Sequence, residues 1–427
     1  MSLSRPRSEY YLATSLTILR DFRALDPRIF ILAFARLVVT LGFAAVLPYL
    51  GVVLHQERGV SATVIGVIWT VAGLSGAVMQ WVAGEITDRV GRRPVLLIAM
   101  TLRTVNLAAL GYQIEHQGPI LAIAGLCVLN SILRGFVDPV ASAMVADLAP
   151  STHRIAAFSL QRVGVNIGWA LGSMSAGFAH GLHLSFGQLF YASSGITLLA
   201  TWAASTIAET HQARKTAAGE ARQPFRLADI GRYWSDRRFM GFLLASLLFF
   251  LLQAQLYAPL SLYASSHLHL SLIGVSHLYA TNGWMVVALQ VPAFFYIRRV
   301  GPERVLIVGA FAYATSYALC GLATQEGNLL VCVAFITLAE IISAPAQQTA
   351  MVSMAPVNCI GAYAGLFGLT QSVGQSLGPL IGTSLLDALP DRLTWPILAL
   401  FGIGAALLFR RVLHMPRPEP STAVPAA

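Results

Sequence analysis

Residues 84–94 read GEITDRVGRRP, a short polar segment in a chain of 427 residues of which 56% are hydrophobic. A related segment, RRVGPERVL, begins at residue 298, which is 210 positions after residue 88, where the matching DRVGRRPVL begins. Gly91 permits a tight turn in the first copy because glycine has no Cβ atom. Since 210 residues is close to half of the chain, the pair predicts that one structural unit has been duplicated.

Further matches extend this duplication over both halves of the chain. Glycines, glutamines and prolines recur at nearly constant spacing, which predicts two equivalent sets of helices. Parallel repeats of this kind place a substrate near the middle of the membrane, between the halves. The matches 210 residues apart are Gly73 with Gly283, Gln80 with Gln290, Gln161 with Gln371, Gly164 with Gly374, Gly168 with Gly378 and Gly172 with Gly382, while Pro139 with Pro345 and Pro150 with Pro356 are 206 apart.

Long apolar stretches separate these motifs. Charged residues make up 11% of the chain, whereas soluble domains contain roughly 25%. A helix needs about 20 mostly apolar residues to cross the core of a bilayer. We therefore predict an all-α integral membrane protein with twelve transmembrane helices, arranged as two pseudo-symmetric six-helix bundles. The predicted spans are 29–54, 61–83, 94–113, 119–146, 155–178, 186–207, 239–263, 272–297, 304–323, 328–354, 361–386 and 394–413.

The basic residues predict the orientation of these spans. If the N-terminus and every second loop share one side, the other side keeps only Arg58 and Arg392. The positive-inside rule then places both termini in the cytoplasm, so the net charge of +9 indicates topology and not nucleic-acid binding. The predicted organisation is a cytoplasmic segment 1–28, a six-helix bundle 29–207, a cytoplasmic linker 208–238, a second bundle 239–413 and a disordered tail 414–427.

The segment 84–94, placed between the second and third spans, resembles the signature cytoplasmic loop of the major facilitator superfamily. The number of spans, the linker and the second copy of the loop extend the resemblance to nearly the whole chain. It implies that Asp88 bonds toward the eleventh helix and that Arg92 pairs with Asp147 at the end of the fourth. Gly84 is expected to allow a close helix contact. The predicted conformational latch comprises Gly84, Asp88, Arg89, Gly91, Arg92, Arg93 and Asp147.

The fourth span contains two ionisable residues, Arg134 and Asp138. They share a helical face with Asn130, because these residues are four apart. Charged side chains in a span are costly and usually face a cavity or a partner. Arg134 resembles the fourth-helix arginine of proton-coupled exporters in the superfamily, although Asp138 stands where their pattern has glycine. We expect an Arg134–Asp138 ion pair, with either a functional or a purely structural role.

The tenth span contains Glu340, 206 residues after Arg134. At pseudo-equivalent positions, these opposite charges are expected to face each other across a central cavity. The surrounding residues 338–349 resemble the tenth helix of proton-coupled multidrug exporters. We predict that Glu340 carries the coupled proton, with Asp138 and Arg134 as further members of the site. An inert buried pair is the alternative.

The charged and polar residues within the spans indicate which substrate charge the cavity would favour. Four arginines, at positions 36, 103, 134 and 162, outnumber the two clear acids Asp138 and Glu340. If most of these arginines face the cavity, anionic or zwitterionic substrates are favoured; Arg162 alternatively extends to the cytoplasmic surface. The predicted cavity residues, each of which has packing as its alternative role, are Arg36, Asn130, Gln253, Gln255, Tyr257, Asn282, Trp284 and Gln347.

Together, these features predict a secondary transporter that works by alternating access. Proton-coupled export of amphiphilic small molecules or drugs is favoured, and transport of an anionic or zwitterionic metabolite or lipid is the alternative. A membrane-embedded enzyme is less favoured because no nucleophile, acid–base or metal constellation stands out. No cofactor, metal or nucleic acid is expected, and the partners are substrate, protons and lipid. A single lysine among 28 basic residues suggests a bacterial source, so we expect the protein in the cytoplasmic (inner) membrane. Separately, we expect a monomer.

Overall fold

A computed structural model describes residues 24–150, 153–182, 184–210, 236–355 and 360–415, with α-helices as the main regular structure of those ranges. Most of the predicted N-terminal segment, linker and tail therefore lies outside the described residues. The helices are α1 (Pro27–Arg58), α2 (Ala62–Val90), α3 (Arg92–Glu115), α4 (Ile120–Leu148), α5 (Arg154–Gly181), α6 (Phe186–Ser205), α7 (Arg237–Gln253), α8 (Ala258–Ser266), α9 (Leu272–Val300), α10 (Pro302–Cys320), α11 (Glu326–Met354), α12 (Ile360–Ala388) and α13 (Asp391–Leu413).

The described helices correspond to the twelve predicted spans, with α7 and α8 together forming the seventh. By length and composition, eight helices of the described part are apolar enough to cross a membrane, counting α7 and α8 as one. The remaining four spans, α5, α6, α10 and α12, have more small and polar residues. In α5 and α12 these residues lie at helix–helix contacts. Small side chains there allow the helices to approach closely, and polar groups there do not face lipid.

The seventh span is interrupted, whereas the sequence predicted one continuous helix over 239–263. Helix α7 ends at Gln253, a 3₁₀ turn covers Ala254–Leu256, and α8 begins at Ala258. Proline lacks an N–H group and therefore fits best in the first turn of a helix, which is where Pro259 lies. Pro259 was thus the local signal for the break, and the interruption leaves Tyr257 between the two helical parts.

The local structure repeats with the period of the sequence. Ser61 caps α2 by accepting a hydrogen bond from the Val64 N–H, and Ser271 caps α9 in the same way, 210 residues later. Gly91 and Gly301 end the corresponding helices with φ angles of 100° and 94°, a conformation that residues with a Cβ rarely adopt. The two halves therefore share helix starts and stops as well as motifs.

Glycines of the repeat also form equivalent helix contacts in the two bundles. A Cβ atom at Gly168 on α5 would lie 2.5 Å from the Leu37 carbonyl oxygen of α1. A Cβ at Gly378 on α12 would lie 2.5 Å from the Ala254 Cβ in the seventh span. The fifth span thus packs on the first as the eleventh packs on the seventh, in contacts that only glycine permits at these positions.

The two bundles meet along two pseudo-equivalent helix pairs, α2 with α12 and α5 with α9. Gly73 lies against Ser376 in the first pair, and Gly283 lies against Ala170 in the second. These two glycines are again 210 residues apart. The interface between the bundles therefore preserves the duplication that the sequence indicated, and any cavity at this interface has walls from both halves.

Contacts between the bundles continue to the face of the molecule where α1 ends and α2 begins, which we call the opposite face. The face with Pro27 and Leu413 is the terminal face. At the opposite face, the Asp387 carboxylate of α12 accepts hydrogen bonds from the Thr63 backbone N–H and hydroxyl, both at 2.7 Å. A carboxylate is stabilised at the N-terminus of a helix by the positive end of the helix dipole. Asp387 thus joins the two bundles at this face.

We expect Asp387→Ala to loosen this contact. Loss of two charge-assisted hydrogen bonds at an exposed helix start should cost about 1 kcal/mol, or roughly a fivefold shift in population. Spin labels at Gln56 and Ala388, read by pulsed electron resonance, should report longer distances in the variant. Thr63→Ser keeps both donors and serves as the control. An unchanged distance distribution in Asp387→Ala would remove this contact from the closure of the opposite face.

Candidate substrate cavity and charged clusters

A cavity of about 160 Å³ lies between the two bundles, halfway along the helices. Its walls come from α5 of the first bundle and from the seventh span, α9 and α11 of the second. On each side of the cavity, one charged, one amide and one aromatic side chain lie together, three on α5 and three in the second bundle. These residues are Arg162, Asn166 and Trp169, and Tyr257, Asn282 and Glu340.

The Glu340 carboxylate is held by side-chain amides from two other helices. Its Oε1 accepts a hydrogen bond from Gln253 Nε2 at 3.2 Å, and its Oε2 accepts one from Asn282 Nδ2 at 3.1 Å. Asn282 also donates to Thr337 Oγ1 at 3.0 Å. Three of the residues predicted for the site therefore meet here, and the carboxylate is linked to both α7 and α9.

The predicted confrontation of Glu340 with Arg134 does not occur. The arginine that lines the Glu340 cavity is Arg162, which donates to Gln290 Oε1 at 3.4 Å. Arg134 instead bonds within its own helix, because Asp138 lies one turn away and such spacing favours an ion pair. The pseudo-equivalence of positions 134 and 340 therefore does not bring the two side chains together.

Asp138 is bound by two arginines from different helices. Its Oδ2 accepts a hydrogen bond from Arg134 Nε at 3.2 Å, and its Oδ1 lies 3.5 Å from Arg36 Nη2 of α1. Arg36 Nη1 also donates to Ser142 Oγ at 3.2 Å and to the Asp138 carbonyl at 3.3 Å. The expected Arg134–Asp138 pair is present, and Arg36 extends it to α1.

A third arginine lies beside this pair. Arg103 of α3 is only 2% exposed, and its Nε donates to Asn130 Oδ1 at 3.2 Å. The guanidinium carbons of Arg103 and Arg134 lie 6.0 and 4.8 Å from the centre of the Phe43 ring, within the range of cation–π attraction. We call Arg36, Arg103, Arg134 and Asp138 the arginine cluster.

Aromatic rings connect the arginine cluster with the cavity. Phe43 contacts Trp169 edge-on, with ring centroids 5.7 Å apart, and Trp169 contacts Tyr257 at 5.4 Å. Trp169 and Tyr257 belong to different bundles and both line the cavity. Phe43 and Trp169 were not among the predicted residues. The sequence does not show whether an aromatic residue in an apolar span faces a cavity, another helix or lipid.

Several predicted cavity residues lie elsewhere. Gln255 is completely buried and donates to the Leu251 and Gly378 carbonyls at 2.7 and 2.9 Å, so it joins the seventh span to α12. Gln347 is 1% exposed, and Trp284 donates to the Met174 sulfur at 2.9 Å. Gln255 is not among the residues that line the cavity, since its amide donates instead to backbone carbonyls of the seventh span and of α12.

At the terminal face, two of the predicted latch residues, Arg92 and Asp147, contact each other within the first bundle. The Arg92 guanidinium binds the Asp147 carboxylate and the Ala143 carbonyl. The backbone N–H groups of Arg92 and Arg93 donate to Glu209, at 3.2 and 3.0 Å. Glu209 thus supplies the carboxylate at the start of α3, where the helix dipole favours negative charge. The sequence offered no signal for Glu209, because it follows α6 and is distant along the chain.

The other latch residues differ from expectation. At Gly84 no heavy atom of the described residues lies within 4 Å of the place a Cβ would occupy, so they do not form the predicted close helix contact there. Arg89 is exposed and pairs with Glu85 one turn earlier, away from Asp147. The Arg93 side chain donates to the Ser205 carbonyl at 2.9 Å. The side chain of Asp88 is outside the described part, and its contact with the eleventh span stays a prediction.

Comparisons with known proteins agree with this architecture. A sequence model of the Major Facilitator Superfamily matches residues 32–280 and 255–427. A protein named multidrug resistance protein MdtH from Cronobacter sakazakii is 27% identical over 388 residues, covering 87% of this chain and 90% of its own length. The protein of the same name from Salmonella typhimurium is 26% identical over 382 residues, covering 86% and 89%. Both matches span the two bundles.

A solved structure is similar over the same extent. The crystal structure of the nucleoside transporter NupG superimposes with a TM-score of 0.74 at 15% sequence identity. The match covers 92% of this chain and all of that one. At this identity the likeness concerns the fold alone.

Proposed function

The chain belongs to the Major Facilitator Superfamily and is a membrane transporter, not an enzyme; from this we propose that it exports amphiphilic small molecules, drugs among them, in exchange for protons. Alternating access exposes one central site to each side of the membrane in turn. The relatives named multidrug resistance proteins support a drug-like substrate. We further propose that the protein is a monomer in a bacterial inner membrane with both termini in the cytoplasm.

The observation that carries this proposal is the position of Glu340. Its carboxylate lies on the cavity between the bundles and accepts hydrogen bonds from Gln253 and Asn282 on two other helices. Protonation would turn one carboxylate oxygen into a hydroxyl, which no longer suits the amide N–H group that bonds to it. A proton at this site therefore alters how α7, α9 and α11 are held together, which is the requirement for coupling a proton to a conformational change.

The cavity walls suit an amphiphilic substrate. Trp169 and Tyr257 offer aromatic surfaces from opposite bundles, while Asn166 and Asn282 offer amides. Apolar pockets with a few polar groups bind small organic molecules well. A polar substrate group that donates a hydrogen bond to the Glu340 carboxylate would bind to it in place of the proton. Substrate and proton would then compete for one site, as exchange requires.

Proton release tests this proposal. Purified protein in vesicles that contain a trapped pH dye should move protons when a substrate gradient is imposed without a pH gradient. The probes are ethidium and three naphthalene compounds: naphthalene-2-sulfonate, its neutral sulfonamide and (naphthalen-2-ylmethyl)trimethylammonium. For at least one probe, protons should move against the substrate flow, and a protonophore should dissipate the signal. Probe transport without proton movement, or proton movement in the same direction, would rule out exchange.

A further inference from the structure

The arginine cluster has more positive charge than its one carboxylate can balance. Arginine stays protonated in proteins, so Arg36, Arg103 and Arg134 together with Asp138 carry a net charge of +2. Unpaired charge is costly away from water. Glu340 does not balance it, because its oxygens bond to Gln253 and Asn282. Among the described residues of the first bundle, the cluster therefore lacks a counter-ion of about one or two negative charges.

The cluster also has unused hydrogen-bond donors. Arg103 is 2% exposed, and the bond it makes among the described residues is from Nε to Asn130. Arg134 likewise binds Asp138 through Nε. The outer nitrogens of both guanidiniums thus have no acceptor in the described part of the chain. Such paired N–H groups match the two oxygens of a carboxylate, sulfonate or phosphate.

The guanidiniums that hold the free donors both lie close to Phe43. Both guanidiniums lie over its ring, and this ring begins the aromatic path through Trp169 to Tyr257. About half of the Arg134 side chain is accessible, so a ligand can reach it. An organic molecule along this path would have its apolar body on three rings and one end at the arginines.

We propose that the arginine cluster is the binding subsite for a negatively charged headgroup, so that the substrates of this transporter are aromatic or apolar organic anions or zwitterions. This proposal deepens the proposed function and rests on it. The headgroup accepts hydrogen bonds from the outer nitrogens of the accessible Arg134, the buried Arg103 adds positive charge beside it, and Asp138 orients Arg134 and Arg36. The arginine cluster selects the charged end of the substrate. The aromatic rings bind its apolar body and tolerate different shapes.

Binding in nanodiscs without a pH gradient tests this assignment. Wild-type protein should bind naphthalene-2-sulfonate roughly tenfold or more tightly than the neutral sulfonamide and more tightly than the trimethylammonium compound, as measured by titration calorimetry. Arg134→Gln should remove this preference while the sulfonamide affinity stays within twofold of wild type. Equal affinities for the sulfonate and the sulfonamide in the wild type, or an equal loss of both in Arg134→Gln, would overturn the subsite.

Two further variants keep the test decisive. Arg304→Gln removes the same charge at an exposed position of α10 and should leave every affinity unchanged. Arg134→Lys keeps the charge and should lose part of the sulfonate affinity, since an ammonium lacks the bidentate geometry; it serves as the deciding variant if Arg134→Gln does not fold. Sulfonate binding of Arg134→Lys equal to wild type would contradict bidentate recognition.

The lipid is a second source of an anionic headgroup. Nanodiscs with and without phosphatidylglycerol should give the same sulfonate affinity, and competition by this lipid would overturn the assignment to a transported amphiphile. The binding assay uses no proton gradient. Sulfonate binding can therefore be absent while ethidium still exchanges for protons, and sulfonate can bind while proton exchange is absent. The subsite and the proposed function are therefore tested independently.

Discussion

Glu340→Gln is expected to reduce pH-gradient-driven transport to the level of vesicles without protein. Glutamine has nearly the size of glutamate but has no proton to exchange near neutral pH. Its amide oxygen still accepts from either Gln253 or Asn282, so the variant resembles the protonated carboxyl and should still bind substrate. Substrate exchange with equal pH on both sides should persist, because that process needs binding and alternating access without net proton movement. Its rate should also lose its dependence on pH.

The measurement is uptake of a fluorescent substrate into proteoliposomes with an imposed pH gradient. Glu326→Gln is the matched control, since it makes the same substitution on the same helix, α11. Glu326 binds His277 at 2.6 Å near the opposite face, away from the cavity, and its variant should retain gradient-driven uptake. Unchanged gradient-driven uptake in Glu340→Gln would end the proposed coupling role of this residue.

Gly172→Val is expected to have the largest effect on stability. A Cβ atom at Gly172 would overlap the Leu41 carbonyl oxygen and lie 2.8 Å from the Ala44 Cβ. The clash involves the backbone of α1, which cannot give way as a flexible side chain can. Overpacking of this kind costs about 1–3 kcal/mol, and valine adds two more carbons. We expect a lower unfolding temperature and less folded protein in the membrane.

A thermal melt in detergent checks this expectation. Gly382→Val, at the equivalent position of α12, should behave in the same way because its Cβ would lie 2.8 Å from the Pro259 Cγ. Gly125→Val is the control, since no heavy atom in the described part of the chain lies within 4 Å of a Cβ there. If Gly172→Val melted at the same temperature as Gly125→Val, the contact between α1 and α5 would not limit stability.

Much of the fold could be predicted because its signals are local. The matching segments at 88 and 298 indicated a duplication, and the structure has equivalent turns at Gly91 and Gly301. The glycines of the fifth span indicated close packing, and Gly168 makes it. The break in the seventh span was missed because the apolar run continues through it; Pro259 alone marked the start of α8.

The candidate site was predicted less completely. The spacing of Asn130, Arg134 and Asp138 indicated one helical face, and the contacts of these residues with Arg103 and Arg36 now join three helices. Sequence separation hid the role of Glu209 at the start of α3. Gln255, which resembles a cavity residue by its polarity, bonds instead to backbone carbonyls.

The sequence by itself determined the number of helices, their duplication and the residues that share a face of one helix. Only the tertiary structure decided which face meets the other bundle, and hence that Arg162 and not Arg134 lines the cavity with Glu340. The physical reason is that lipid is as apolar as the protein interior, so hydrophobicity does not distinguish the face toward lipid from the face toward another helix. Packing between small residues and bonds between distant polar groups decided the rotation of each helix.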